Sequence, residues 1–432
     1  MGGAFLVNLF LHSVSFPILF PSQLITHNRH INSHFLLSKI KIPLRASPPK
    51  LQLRRTQKTK STTVMSATTN LKQPAMTEPS VFEQIQQNDH EQVVFCYDKA
   101  SGLKSIIAIH NTVIGPALGG TRFWNYRNDQ EALTDVLRLS RGMTYKAAIT
   151  GLNLGGGKAI IIGNSATDKS EALYRRYGKF VESLNGKYIT AEDVGTSKED
   201  MEWIAQETKH VTGVPEYMGG SGDPSPFTAY GTFLGIKASC KEVFGNDSLQ
   251  GKKVAVQGVG HVGYYLVKHL CEAGANVFVC DIVEANLKAV TKDFKVTVVG
   301  VDEIYDLDAQ VYAPCALGAT INDDTVERFK FSVIAGGANN QLKDETKHGQ
   351  ALVNKGICYA PDFLINAGGL INVSAELEGY NRERVMGQTE KIYNRVLEIF
   401  AAAKTDNLTP QQAAIKLAEK RIKDVAALKS RL

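Results

Sequence analysis

Lys146 and Lys158 bracket an apolar segment that ends in Gly155, Gly156 and Gly157 and is divided by Gly151. A cation among apolar residues is costly to bury and easily shifted in pKa, and glycines let a ligand lie against bare backbone. Together they describe a substrate pocket with two positive charges. A phosphate-binding P-loop is excluded, because Leu152 stands where its first glycine belongs and Ala159 where its Ser or Thr belongs. Asp193 follows the strand-like run Lys187 to Ala191 and precedes Gly195. A carboxylate there either lines a cleft or caps the helix that begins near Ser197. Asn339 and Asn340 follow another strand-like run, and they either meet a ligand or turn the chain.

A second constellation is Gly258-Val259-Gly260-His261-Val262-Gly263. Gly-x-Gly-x-x-Gly alone is weak, but this one follows the strand Val254 to Gln257 and opens a helix ended by Gly274. The next strand, Asn276 to Cys280, terminates in Asp281. Such glycines bring backbone amides and a helix N-terminus to a pyrophosphate. An acid at the position of Asp281 accepts both ribose hydroxyls and repels a 2′-phosphate, so NAD is expected over NADP.

The elements that must hold these residues follow from periodicity. Short strands are expected across residues 81 to 115, notably Val93 to Tyr97 and Leu103 to His110, forming a meander. Asn128 caps a helix, with Glu131 completing a capping-box pattern, and apolar spacing carries that helix to Thr150, which places Lys146 near its C-terminal end. Ala159 to Ile162 reads as a buried strand with Lys158 at its mouth. Glu171 to Leu184 is helical by spacing. Glycine, proline and serine gather between Gly213 and Pro226 and mark a domain junction, followed by the helix Thr228 to Val243. Runs at Gln310 to Ala313, Phe331 to Ala335 and Ile357 to Ala360 read as parallel strands, each ending in small or polar residues where such sheets bind ligands. Residues 384–432 read as helical, interrupted near Pro410, with no chemistry of their own. The expected fold is α/β, with two domains separated by a cleft. Residues 78–220 form a substrate-binding and catalytic domain, 221–372 a Rossmann NAD-binding domain, and 373–432 helices that return to the first domain.

Composition bounds the alternatives. The chain has 432 residues, 43% hydrophobic and 21% charged, the balance of a globular protein with room for two domains. Its net charge of +6 comes from ten Lys and Arg that precede Glu78, the first acidic residue, so the rest is mildly acidic and nucleic acid is not an expected partner. Residues 1–77 read as a transit or disordered extension, directing the protein to a mitochondrial or plastid matrix; a start at Met65 would leave it cytoplasmic. No later apolar run is long enough to span a membrane. The six cysteines and ten histidines are scattered without metal-ligand spacing, so no metal is expected.

From about Val81 onward the chain resembles the glutamate, leucine, phenylalanine and valine dehydrogenase family, most closely its leucine dehydrogenase branch. The resemblance lies in Pro116 to Arg122, Met143 to Lys146, Gly151 to Lys158, Thr190 to Gly195, Pro224 to Gly231, Val256 to Gly263, Ala313 to Ala319, Ala338 to Leu342, and Ile365 to Asn372. It implies a substrate (dimerisation) domain and an NAD-dependent, reversible deamination of an apolar L-amino acid to its 2-oxo acid and ammonia by a homo-oligomer. It further implies that Lys146 holds the substrate carboxylate beside Gly119, Gly120 and Asn340. Lys158 would be the catalytic lysine, its pKa lowered by an apolar site, and Asp193 would exchange protons with the amino nitrogen. Thr228, Gly258, Gly260, His261, Val262, Gly263, Asp281, Ala316 and Asn339 would hold the cofactor. Leu118, Ala191, Leu370 and Val373 would form the side-chain pocket. Glutamate dehydrogenases carry lysine where this chain has Leu118, so glutamate is disfavoured, because its distal carboxylate would be buried unpaired. Two alternatives are a phenylalanine- or tryptophan-preferring relative and a non-catalytic NAD-binding regulator.

Overall fold

The protein is described by a computed structural model over residues 79–430; the expected N-terminal extension lies outside the described residues. The first half runs α1 (Val81–Asn88), β1 (Gln92–Asp98), β2 (Leu103–Asn111), β3 (Ala117–Leu118), β4 (Thr121–Trp124), α2 (Asp129–Ile149), β5 (Gly155–Ile162), α3 (Glu171–Glu182), β6 (Tyr188–Ile189) and α4 (Lys198–Ala205). The sheet order is β1-β2-β5-β3-β6, with β4 also pairing to β5. β2 lies antiparallel to β1 and β5, while β3 and β4 run parallel to β5.

Both faces of this sheet are covered, which is why β2 and β5 are nearly continuous apolar runs. Ile107, Ile109 and Ile161 point into a cluster with Leu173, Tyr177 and Val181 of α3. Their neighbours Ile106, Ala108 and Ile160 point the other way, against Leu133, Val136 and Leu137 of α2. Each isoleucine so enclosed contributes on the order of 2 kcal/mol.

Three local features differ from the sequence expectation. The meander is preceded by α1, which Ser80 opens with a complete capping box: the Glu83 amide donates to Ser80 Oγ at 3.3 Å, and the Ser80 amide donates to the Glu83 carboxylate at 2.6 Å. At α2, Asn128 does cap the Glu131 amide at 2.8 Å, but the Glu131 carboxylate instead accepts from the Arg127 amide and guanidinium, a charge-assisted alternative to the reciprocal half of the box. β5 begins at Gly155, so Lys158 stands inside the strand, not at its mouth. The glycines are strand residues because their neighbours leave no room for a side chain. A Cβ at Gly155 would lie 1.9 Å from the Asn111 carbonyl oxygen, and one at Gly156 would lie 2.1 Å from the Thr144 amide nitrogen of α2.

The second half follows as α5 (Ser225–Phe244), β7 (Lys253–Gln257), α6 (His261–Glu272), β8 (Asn276–Cys280), α7 (Glu284–Asp293), β9 (Val296–Val298), β10 (Val311–Pro314), α8 (Asp323–Arg328), β11 (Val333–Ile334), α9 (Glu345–Asn354), β12 (Cys358–Tyr359), α10 (Asp362–Ile365), α11 (Gly368–Ser374), α12 (Arg382–Asp406) and α13 (Pro410–Lys429). Its sheet is wholly parallel in the order β9-β8-β7-β10-β11-β12. The order reverses direction at β7 and β10, which opens a crevice beyond their carboxyl ends. α12 lies along α5, and α13 packs on α2 of the first half.

Candidate functional site

The glycine run assembles the site. Because Gly156 lies against the backbone of Thr144, α2 approaches β5 closely, which brings Lys146 near enough to Lys158 to feel its charge. Gly119 and Gly120 do the same between β3 and β4. A Cβ at Gly119 would meet the Gly157 carbonyl oxygen at 1.7 Å, and one at Gly120 would lie 2.9 Å from Asp193 Cβ. Asp193 follows β6, and its amide is held by Thr196 Oγ1, which also donates to the Thr121 carbonyl of β4. Ser197, not Asp193, caps α4, accepting from the Asp200 amide.

Lys158 is buried, and its Nζ lies 2.9 Å from Asp193 Oδ2. Arg122 Nε donates to the same oxygen at 3.2 Å. Burial alone would raise the Asp193 pKa, but the Lys158 and Arg122 cations overcome it and hold the carboxyl below its ordinary value. What faces Lys158 is therefore a carboxylate, not the apolar wall expected from the sequence. Burial pushes the Lys146 ammonium down to about 8, with Asp362 and Asp193 opposing that shift and Lys158 adding to it.

Lys146 reaches across the cleft. Its Nζ donates to Asn339 Oδ1 at 3.0 Å, and Asn366 Nδ2 donates to the same oxygen at 2.7 Å. The expected partner Asn340 instead turns the chain with a φ of 52°, and its carbonyl accepts from the Ala319 amide. Behind this turn is Asp362, 5% exposed, which accepts from the Gln341 and Phe363 amides at 3.0 and 2.7 Å. Burial raises its pKa against the pull of those amides and of Lys146.

An apolar cluster that includes Met143 and Ala147, on the same helix as Lys146, lies near the lysines. Leu118, Leu370 and Val373 belong to one cluster, as expected from the sequence. That cluster also contains Met143, Ala147, Leu154 and Ile189, none of which has a type or spacing that distinguishes it from ordinary core. Ala191 is buried beyond Ile189, outside the cluster.

At the second sheet the crevice has the shape a dinucleotide needs. Gly258 has a φ of 91°, and a Cβ there would lie 2.7 Å from Ala316 Cβ across the β7/β10 switch point. A Cβ at Gly263 would lie 2.0 Å from the Gly258 carbonyl oxygen, so both glycines are required by close approach. Gly260, the N-cap of α6, has open space on its side-chain face, with the nearest atom 4.0 Å away. His261 and Val262 form the first turn of α6, whose amides face that opening. Asp281 follows β8 and accepts from the Val259 amide at 2.8 Å and from Asn286 Nδ2 at 3.2 Å, which ties it to the glycine turn. Thr228, in the first turn of α5, packs against Gly369 of α11. These residues fit a bound dinucleotide.

The last helix, expected to carry no chemistry, sends Arg421 into the turn between the two lysines. Its guanidinium donates to the carbonyls of Ala147, Ala148, Gly151 and Leu152 at 3.4, 3.1, 3.2 and 2.7 Å. Gln388 of α12 donates to the Thr150 carbonyl at 2.9 Å. Together they cap the C-terminus of α2 one turn beyond Lys146.

The Glu/Leu/Phe/Val dehydrogenase dimerisation domain matches residues 90–210, and the Glutamate/Leucine/Phenylalanine/Valine dehydrogenase domain matches residues 219–283 and 280–428. The chain belongs to this family. Leucine dehydrogenase of Thermoactinomyces intermedius is 56% identical over 342 residues, covering 79% of this chain and 93% of that protein. L-tryptophan dehydrogenase of Nostoc punctiforme is 48% identical over 351 residues, covering 81% and 98%. The crystal structure of the Nostoc enzyme superposes with a TM-score of 0.71 at 47% identity, covering 80% of this chain and 99% of that one. These relatives are amino acid dehydrogenases, and the family architecture of a dimerisation domain joined to a nucleotide-binding domain is the one described above.

Proposed function

We propose that the protein catalyses NAD-dependent, reversible oxidative deamination of a branched-chain L-amino acid such as leucine, valine or isoleucine. In balance, amino acid, NAD⁺ and water become 2-oxo acid, ammonium, NADH and a proton. The observation that carries this reading is the Lys158–Asp193 pair at 2.9 Å, set between a second lysine and the apolar cluster around Leu118 and Leu370.

The bound nicotinamide supplies the hydride acceptor; the rest of the chemistry belongs to the protein. Lys146 holds the substrate carboxylate, with Asn339 fixing its ammonium from the opposite wall. Lys158 orients the attacking water and stabilises the oxygen that forms on the α-carbon. Asp193, kept anionic by its cations, accepts and returns the proton of the amino nitrogen. The pocket around Leu118 and Leu370 takes the side chain and offers no partner to a second carboxylate. Asp281 favours NAD, since a 2′-phosphate would meet its negative charge. The match to a dimerisation domain supports self-association, which light scattering on the eluting protein checks.

The test is reduction of NAD by purified protein with a panel of leucine, valine, isoleucine, phenylalanine, tryptophan and glutamate. Turnover is expected with the branched substrates and not with glutamate; no turnover with any apolar amino acid defeats the reading.

A further inference from the structure

Asp193 has a second cation that takes no part in the proton or water steps of the proposed chemistry. Arg122 extends from β4, where it is paired in register with Ile160 of β5, to the same Oδ2 that Lys158 meets. Its far end is pinned. Arg122 Nη1 donates to Asp135 Oδ2 of α2 at 2.8 Å, and that oxygen also accepts from the Tyr126 hydroxyl at 2.7 Å. Arg138 lies 3.5 Å from the other oxygen of Asp135. A guanidinium held at both ends has little freedom to leave. Both cations make their close contact with Oδ2 of Asp193.

We propose that Arg122 is a positioning residue for the reaction, fixing the Asp193 carboxylate beside Lys158 and leaving Oδ1 to face the amino nitrogen of the substrate. The proposal rests on the dehydrogenase reading above. Lys158 cannot do this alone, because its ammonium must also turn toward the attacking water and the oxygen on the α-carbon. When it does, Asp193 would lose its counter-charge unless another remained. Arg122 is always charged and does not take part in proton exchange, so it supplies a constant field while Lys158 moves. The groups that face Asp193 are Lys158 from β5, Arg122 from β4, Lys146 from α2 and Tyr188 from β6. Of the two cations on the carboxylate itself, Arg122 is the one not committed to substrate.

The experiment compares Arg122→Gln, Arg122→Lys and Asp135→Asn with wild type, measuring kcat, KM for leucine, KM for NAD and the pH profile of kcat/KM well below each variant's Tm. Removing a cation within contact of a carboxylate raises its pKa by about one unit or more. The acid limb of the Arg122→Gln profile is therefore expected to move up by about one pH unit, with kcat reduced about tenfold at pH 7 and KM for NAD unchanged. Arg122→Lys should bring the limb most of the way back. Asp135→Asn, which frees the far end of the guanidinium, should move it in the same direction by less, and it serves where the Gln variant does not fold. An unmoved limb in the folded variants, with activity falling only in proportion to Tm, overturns the proposal. A wild-type enzyme without turnover on apolar amino acids defeats the dehydrogenase reading instead. Difference infrared titration of Asp193, assigned with Asp193→Asn, then reports the carboxylate without turnover: an Asp193 titration unchanged by Arg122→Gln overturns the inference.

Discussion

The site holds the charge of Lys146 weakly, and that makes its role measurable. Burial lowers it to about 8 in the free protein, against an ordinary lysine value of 10.5. A carboxylate ligand pairs only with the charged form, so above pH 8 its affinity should fall about tenfold per pH unit, and by about pH 9 only about a tenth of the protein remains competent. The cleanest assay is competitive inhibition by a branched carboxylate that lacks an amino group, such as 4-methylpentanoate, because then only protein groups titrate. Lys146→Ala removes the charge at every pH and leaves the ligand carboxylate without its partner, which costs about 3 to 5 kcal/mol, or roughly a hundred- to several-thousandfold in KI. Lys146→Arg keeps a charge that does not titrate below about pH 12 and should abolish the alkaline limb even if its geometry weakens binding. The reasoning is refuted if the Arg variant retains a limb near pH 8, since the proton would then belong to another group. Lys158→Ala sets the contrast. It should lower kcat far more than it changes KM, and if both substitutions altered only KM, the catalytic role of Lys158 would be wrong.

Leu118→Lys puts an ammonium on the floor of the apolar pocket; kcat/KM for leucine should fall at least about a hundredfold while glutamate becomes a substrate, and unchanged leucine kinetics would show that Leu118 does not meet the side chain. Asp281→Ala should narrow the preference for NAD over NADP by about tenfold or more, measured as the ratio of kcat/KM values, because the repulsion of the 2′-phosphate is lost. Arg421→Ala leaves four carbonyls without their cap and should cost about 2 kcal/mol in chemical denaturation, after allowance for its partial exposure, and unchanged stability would contradict the cap. His90 and His110 are buried beside Ser140 and Thr144, and burial pushes them from 6.5 to about 4 and about 3. Their neutral forms favour the folded state, so that contribution is whole above pH 6.5 and is lost as pH falls toward those values. From pH 6.5 to about 5 each should cost about 2 kcal/mol, and a denaturation midpoint flat across that window would refute it.

The cofactor half was legible because its signals are local. Gly258, Gly263 and Asp281 lie within one strand-turn-helix-strand unit, and the close approaches that demand those glycines occur inside it. Its parallel strands were expected from the pattern, although β9 was not anticipated: Thr297 and Val298 are exposed and give no core signal. The substrate half was harder to read. Gly155 to Gly157 suggested bare backbone open to a ligand, whereas each faces the backbone or ring of a neighbour, contacts that depend on residues far along the chain. The proximity of Lys158 to Asp193 is likewise invisible to spacing; only the family resemblance brought the two residues together. Arg421 on a polar helix reads as a solvated charge, and its capping role exists only once α13 lies across α2. Asn339 and Asn340 are chemically identical in sequence, and the left-handed φ of Asn340 separates them by pointing one toward Lys146 and committing the other to the turn.

The two lysines differ in how the fold mounts them. Lys158, Arg122 and Asp193 all belong to one sheet, on β5, on β4 and just beyond β6, where glycines lock the strands against one another. A proton-transfer site built on a close-packed sheet holds its geometry whether or not the cleft closes. Lys146 sits at a helix end, capped by residues of α12 and α13 and hydrogen-bonded to Asn339 on the far side of the cleft. Its position depends on both halves. Motion between them would change how the substrate carboxylate is held while leaving the Lys158–Asp193 distance alone, so opening and closing should govern binding and release more than the chemical step.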